Sequence, residues 1–373
     1  MRPLTIVQLL PALESGGVER STLEIAQALV QAGHTAVVVS AGGRLVPQLE
    51  RAGARHIQLD IGRKSPMTLL RIGALARLLR EVGADIVHAR SRLPAWIGRL
   101  ALGRLPAATR PRWVTTVHGL NTPGCYSAVM ASGERVICVS ETVRAFVATH
   151  YPQVPQARLR VIPRGLDPAS FPYRPWPDAA ARSAVAARHP GLAGDGPLLL
   201  LPGRGTRLKG HADAIQLLAD LRGQEVPARL WMPGIVQPGR EAYLAELQQQ
   251  AQAHGVAQAM VCSPATADMA QAYAASDLVL QLSRKPESFG RTVIEALSCG
   301  RHVVGWAHGG VGELLAELQP AGAVPAFDRA ALLAATRQLL TAAAPAPGTM
   351  PYTLQAMQDA TLSLYQELAD ERR

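Results

Sequence analysis

An α/β protein built from two doubly wound parallel-sheet domains is the fold this sequence predicts. Three observations lead there. Short apolar runs alternate with helical patterns along most of the 373 residues, as βαβ units around a parallel sheet require. The alternation stops once, from Pro163 to Pro177, where five prolines interrupt it, and restarts at Leu198. The length suits roughly two domains, and 48% hydrophobic residues can fill two cores.

The elements follow in order. Ile6 to Leu10 reads as a strand, Gly16-Gly17 as a turn, and Glu19 to Gln31 as a helix stopping at Gly33. Thr35 to Ser40 is the next strand, Pro47 to Ala52 a short helix, and His56 to Leu59 a strand. Leu69, Ile72, Leu75, Leu78 and Leu79 recur at helical spacing, so Thr68 to Glu81 is expected as one helix. Strands are expected at 85–88, 113–117 and 136–139, then a helix from Ser140-Glu141. Pro163–Pro177 reads as a linker. Further strands are expected at 198–201, 228–232, 259–262, 278–281 and 302–306. A last helix, 353–368, follows a breaker at 343–351.

The most informative stretch is Glu287-Ser288-Phe289-Gly290-Arg291-Thr292-Val293-Ile294-Glu295. A small turn feeds an apolar helix that ends at Gly300. The N-terminus of such a helix aims N–H groups and partial positive charge at one point, a seat for a phosphate. Glu287 stands just before the seat, and Glu295 one to two turns inside the helix. Gly203-Arg204-Gly205-Thr206-Arg207-Leu208-Lys209-Gly210 follows the first strand after the linker. Two cations five apart on a glycine-rich loop suit a diphosphate. Gly16-Gly17 permits close backbone approach at a helix start. His118 ends a strand beside Gly119, where it could donate a hydrogen bond or change charge near neutral pH. His88, after Val87, is similarly placed.

These segments resemble a known family. Glu287 and Glu295, with Phe-Gly after the first and Glu-Ala-Leu at the second, look like the E-x7-E signature of GT-B nucleotide-sugar glycosyltransferases, nearest to glycosyltransferase family 4. Gly16-Gly17-Val18-Glu19-Arg20 resembles a family loop near the donor phosphate and the acceptor. Arg204 to Gly210 resembles the G-R-x4-K-G motif, and Pro163-Arg164-Gly165-Leu166-Asp167 a P-N-G-[VI]-D hinge with Arg164 in place of Asn. The resemblance implies two Rossmann-like domains facing a cleft, 1–165 on the acceptor side and 166–350 binding the nucleotide-sugar. A C-terminal segment, 351–373, would cross back to the first domain. It implies donor binding by Gly16, Gly17, Arg204, Lys209, Ser288, Phe289, Gly290, Arg291, Thr292 and Glu295. His118 and Glu287 would be catalytic, orienting the transferred sugar, with anomeric configuration retained. Arg90 and Arg92 are candidate acceptor contacts. Segments 88–96 and 139–143 resemble bacterial lipopolysaccharide core transferases, whose acceptors are phosphorylated and lipid-anchored.

Charge bears on the partner. Residues 1–170 hold 20 arginines and Lys64 against ten acids, whereas the whole chain nets +10. The positive field therefore belongs to the first half, and suits a phosphorylated acceptor or the anionic surface of an inner membrane. Few aromatics and no recognised motif speak against nucleic acid. No D-x-D pair and no zinc-spaced cluster occurs, so no metal and no other cofactor is expected. Scattered cysteines and an N-terminus that enters a strand directly suggest a cytoplasmic protein, peripheral on the membrane's inner face. A hexosyltransferase using a UDP-sugar, with a glycolipid acceptor, is the leading reading. A GT-B-fold nucleotide-sugar epimerase and a transferase with a soluble acceptor remain open.

Overall fold

The computed structural model describes residues 2–14, 16–345 and 348–371. Two compact units emerge, Met1–Arg164 with Leu354–Arg373, and Gly165–Thr353.

The first unit is a seven-stranded, wholly parallel sheet. Its strands are β1 (Thr5–Leu9), β2 (Thr35–Ser40), β3 (Arg55–Gln58), β4 (Ile86–Ala89), β5 (Arg112–Val117), β6 (Arg135–Cys138) and β7 (Leu159–Val161), in the order β3-β2-β1-β4-β5-β6-β7. Strand β1 pairs Val7 with Val37 on one side and Val87 on the other. The inner strands β2 and β4 are buried on both faces and read as apolar runs, whereas the edge strand β3, Arg-His-Ile-Gln, is not buried. The helices are α1 (Gly17–Gln31), α2 (Val46–Arg51), α3 (Arg71–Glu81), α4 (Arg92–Leu102), α5 (Cys125–Ala128) and α6 (Glu141–His150). Ser140 caps α6 by accepting from the Val143 N–H.

The second unit repeats the plan with β8 (Leu198–Leu200), β9 (Arg229–Pro233), β10 (Met260–Ser263), β11 (Leu278–Gln281), β12 (His302–Trp306) and β13 (Ala323–Val324), ordered β10-β9-β8-β11-β12-β13 and all parallel. Around it lie α7 (Ala179–Arg188), α8 (His211–Gly223), α9 (Glu241–Ala253), α10 (Met269–Ala275), α11 (Arg291–Ser298), α12 (Gly309–Leu318) and α13 (Arg329–Thr341). Leu199, Leu230, Leu280 and Val304 on adjacent strands pack with Leu218 and Leu247 in its core.

The last helix, α14 (Leu354–Asp370), packs in the core of the first unit. Met357, Leu364, Tyr365 and Leu368 form its inner stripe, buried with Ile25 and Leu29 of α1. Burying each such side chain is worth about 1.5–3 kcal/mol. The outer face adds ion pairs, Glu367 with Arg160 at 2.9 Å and Arg135 at 3.0 Å, and Glu371 with Arg112 at 3.1 Å. Exposed pairs of this kind contribute about 0–1 kcal/mol each, so the apolar stripe dominates. Tyr365 also reaches His88, whose ring spans Tyr365 Oη and Thr116 Oγ1, both at 2.6 Å. His88 is wholly buried and is a structural strut, which corrects its expected place in the site. Tyr365→Phe leaves a ring nitrogen of His88 without its partner; a stability loss of about 1–3 kcal/mol in chemical denaturation is expected.

Two expectations are corrected here. Residues 68–81 are not one helix: Ser65 accepts from the Met67 N–H and Pro66 opens a 3-10 turn, Pro66–Leu70, before α3 begins at Arg71. The proline-rich stretch is no free linker beyond Gly165. Phe171 is buried against Tyr273, its carbonyl accepts from Ser298 Oγ at 2.7 Å, and Arg301 holds the carbonyls of Arg174 and Pro175.

Candidate active site

In open parallel sheets, ligands bind beyond the strand C-termini where the strand order reverses. That point falls between β1 and β4 in the first unit and between β8 and β11 in the second. The chemistry-bearing residues of each unit gather there.

In the second unit, the loop after β8 carries Arg204 and Lys209. Lys209 ends a 3-10 turn, Arg207–Lys209, closed by Gly210 at φ 75°. A Cβ on Gly210 would lie 2.0 Å from the Leu282 carbonyl oxygen, so only glycine brings this loop onto the end of β11. Lys209 Nζ thereby meets Glu287 Oε1 at 2.5 Å. Gln281 Nε2 donates to Glu287 Oε2 at 3.2 Å, and Ser283 Oγ donates to Oε1. Arg204 stays exposed, with no carboxylate within 4.0 Å among the described residues.

Glu287 is also held from behind. The Gly310 N–H donates to its carbonyl at 2.8 Å. A Cβ on Gly309 would lie 2.6 Å from that carbonyl, and one on Gly310 2.5 Å from Phe289 Cα. The glycine pair opening α12 therefore lets the 287–289 turn settle on it. Ser288, Phe289 and Gly290 lead into α11, whose first residues are Arg291 and Thr292. Phe289 is buried and Arg291 donates to the Gly165 carbonyl at 3.0 Å. The Phe289 ring meets that of Tyr352 edge-on and the Arg291 guanidinium is directed to Gly165, so what α11 presents at its start is backbone N–H groups at the positive end of the helix dipole. Glu295 Oε2 accepts from Tyr273 Oη at 2.9 Å. Burial, with Glu295 beside it, raises the Tyr273 phenol well above its ordinary pKa, so it remains a donor.

Sequence reasoning missed Gln281, Ser283, Tyr273, Gly309 and Gly310. Only the Gly-Gly pair just beyond β12 was visible as a signal.

His211, next to this loop, is fully buried. Burial lowers its pKa to about 4. The folded value lies below the unfolded one of about 6.5, so its stabilising contribution is present above pH 6.5 and fades as pH falls towards 4. Taking the second unit from pH 7 to pH 5 should cost about 2 kcal/mol through this group. Denaturant midpoints at the two pH values, compared with His211→Asn, test it; an unchanged pH difference in the variant would refute the assignment.

In the first unit, Gly16 (φ 147°) and Gly17 open α1; Ser15, at the head of that loop, lies outside the described residues. His118 follows β5, and Arg164 donates to its Nδ1 and to Ser21 Oγ. That contact selects the tautomer with the proton on Nε2. Burial, then the charges of Arg164 and Arg90, push the His118 pKa well below 6.5. His118 is therefore neutral at pH 7, which corrects the expected charge change. Arg90 is also corrected as a surface contact: it is 3% exposed and donates to Gln8 Oε1 at 2.7 Å and Ser21 Oγ at 3.5 Å. Arg92 is half-buried, donates to Ser127 Oγ at 3.3 Å and lies over the Tyr126 ring.

Two all-parallel doubly wound units, each with its polar groups at the switch point, define a two-domain α/β enzyme scaffold. Residues 15–170 match the model of Glycosyltransferase Family 4, and residues 186–346 that of Glycosyl transferases group 1. The chain belongs to the GT-B glycosyltransferase superfamily. A curated relative, D-inositol 3-phosphate glycosyltransferase of Xylanimonas cellulosilytica, is 31% identical over 249 residues, 61% of this chain and 56% of its own length. The chain thus spans little more than half of that relative. A glycosyltransferase from Rickettsia africae superposes with TM-score 0.82 at 25% identity over 99% of both chains. Anabaena HepE in complex with UDP and glucose gives 0.81 at 20% identity, over 98% of this chain and 100% of that one. WaaG, a glycosyltransferase of lipopolysaccharide biosynthesis, gives 0.67 at 18% identity over 98% of both. The last two show a shared fold. No helix among the described residues is long and apolar enough to cross a membrane.

Proposed function

We propose that the protein is a retaining, metal-independent hexosyltransferase of the E-x7-E type. It moves a hexose from a UDP-sugar to a phosphorylated, lipid-anchored cell-envelope acceptor such as lipopolysaccharide core. The observation that carries the reading is the Lys209–Glu287 pair at the β8/β11 switch point, beside the N-terminus of α11.

In this reading Arg204 and Lys209 grip the diphosphate, and the first amides of α11 add a fixed positive end. Gly16 and Gly17 supply a second close backbone approach. Glu295, oriented by Tyr273, takes the ribose hydroxyls. Glu287 and the Nε2–H of neutral His118 orient the hexose. The bond from the sugar's anomeric carbon to the phosphate oxygen breaks with its electron pair on the diphosphate. The acceptor oxygen attacks from the same face and passes its proton to the leaving phosphate. Arg204, Lys209 and the helix end balance the departing negative charge, so no metal and no cofactor is called for. Arg92 contacts the acceptor. The basic first unit suits a cytoplasmic enzyme working against the inner membrane.

The relative named for inositol 3-phosphate favours a second reading, a soluble phosphorylated acceptor. A donor-only epimerase differs from both, since it would interconvert sugar epimers without acceptor. Calorimetry with UDP-, GDP- and ADP-sugars, with and without EDTA, tests the donor assignment. Tight binding of one UDP-hexose, unchanged by EDTA, is expected; a folded sample that binds none of them contradicts it. Transfer assays with lipid-linked and soluble phosphorylated acceptors then separate the two acceptor readings.

A further inference from the structure

Among the described residues eight large apolar side chains are exposed, and four lie on one face of the first unit: Met67 (66%), Leu69 (54%), Leu70 (69%) and Leu100 (43%). Three of them sit on the 3-10 turn Pro66–Leu70. That turn is firmly built, since Ser65 accepts from the Met67 N–H and Thr68 Oγ1 donates to the Arg63 carbonyl at 2.6 Å. Thr68 points inward while Met67, Leu69 and Leu70 point out. The exposure is therefore fixed by the fold and is not a frayed end.

Helix α3 follows directly. Ile72, Leu75, Ala76 and Leu79 face the core, which turns Arg71, Arg77 and Arg80 to solvent. Helix α4 packs beside it, and Arg104, just past its end, reaches 3.1 Å from the Cβ position of Gly73. Leu100 is one turn before Arg104. Arg63, Lys64 and Arg99 are exposed too, and none of these seven cations has a carboxylate within 4.0 Å among the described residues. From Ile61 to Arg112, eleven Arg and Lys stand against only Glu81 and Asp85, and Asp85 is occupied by Arg2 at 2.7 Å.

We propose that this face, the apolar 3-10 turn within its collar of unpaired cations, docks the protein on an anionic lipid bilayer. Leucine and methionine side chains enter the headgroup boundary while the surrounding arginines meet lipid phosphates. A second copy of the chain does not suit the face, because seven like charges would oppose themselves. Nucleic acid does not suit it either, since the exposed apolar groups on the turn and at Leu100 are aliphatic and offer no stacking surface. Docking there holds the first unit near a lipid-anchored acceptor. The purpose of the docking rests on the acceptor reading above, but its test does not.

The full chain is sedimented with vesicles of phosphatidylcholine alone and of phosphatidylcholine with phosphatidylglycerol, at low and high salt. Binding to the anionic vesicles, weakened by salt, is expected. Leu69→Glu/Leu70→Glu should lower the partition coefficient about tenfold or more. Arg71→Gln/Arg77→Gln/Arg104→Gln should lower it about fivefold per cation removed. Phe327→Glu, an exposed apolar site in the second unit, should bind as wild type. Circular dichroism confirms folding, and unchanged UDP-sugar calorimetry in the docking variants separates a docking failure from a failure of the transferase reading. Equal binding to neutral vesicles, wild-type binding by both face variants, or loss of a protein–protein association in the leucine variant without any vesicle binding would each overturn the proposal.

Discussion

Glu287→Gln is expected to lower kcat by about 10²–10³ while leaving UDP-sugar affinity nearly unchanged. The carboxylate is set before any substrate arrives: Lys209, Gln281 and Ser283 fix its oxygens, and the Gly310 N–H fixes its backbone. As the anomeric carbon loses its phosphate, the sugar ring gains positive character. A preorganised anion and hydrogen-bond acceptor at its hydroxyls then matters more in the transition state than in the ground state. Removing one preorganised group of this kind costs about 3–4 kcal/mol of barrier. Gln keeps the shape and loses the charge. The fold should tolerate it, because the pair is partly solvated and such pairs contribute about 0–1 kcal/mol to stability. Single-turnover rates beside thermal melts decide the matter. Wild-type turnover in a folded variant removes Glu287 from the mechanism. A rate loss that tracks a lowered melting temperature assigns it to structure instead.

The two parallel sheets were legible because a strand buried on both faces must be apolar throughout, as Val37-Val38-Val39 and Leu198 to Leu201 are. The second-unit site was legible for a related reason. Its loops are short, so Arg204, Lys209, Glu287 and Glu295 lie close to the strand ends that position them. What lay beyond reach was the meeting of distant segments. Nothing near Lys209 indicates that its ammonium is bound to Glu287, 78 residues away. Nor does Glu295 disclose Tyr273, which arrives from α10. His88 and Arg90 illustrate the opposite error. Their place at the end of β4 suggested exposure, but α14 covers His88 through Tyr365, and Gln8 and Ser21 draw Arg90 inward. The helical spacing of residues 69–79 also hid the break at Pro66–Leu70, because a 3-10 turn and an α-helix both return a side chain to the same side after about three residues.

Lys209→Met is expected to weaken binding of UDP itself about 10- to 100-fold, as losing a charge-assisted contact of about 1.5–3 kcal/mol implies. It should also lower kcat, because the same ammonium positions Glu287. These two duties separate in a double-mutant cycle with Glu287→Gln. UDP carries the diphosphate and no hexose, so its affinity should respond to Lys209→Met equally in either background. The turnover effects should instead overlap: with Glu287 already neutral, losing Lys209 costs less than it does alone. A coupling of about 1–2 kcal/mol in kcat is expected for side chains in direct contact. Additive turnover losses would mean that the contact has no part in orienting Glu287. Unchanged UDP affinity in Lys209→Met would mean that the lysine serves Glu287 alone, leaving Arg204 and the α11 N-terminus to carry the diphosphate.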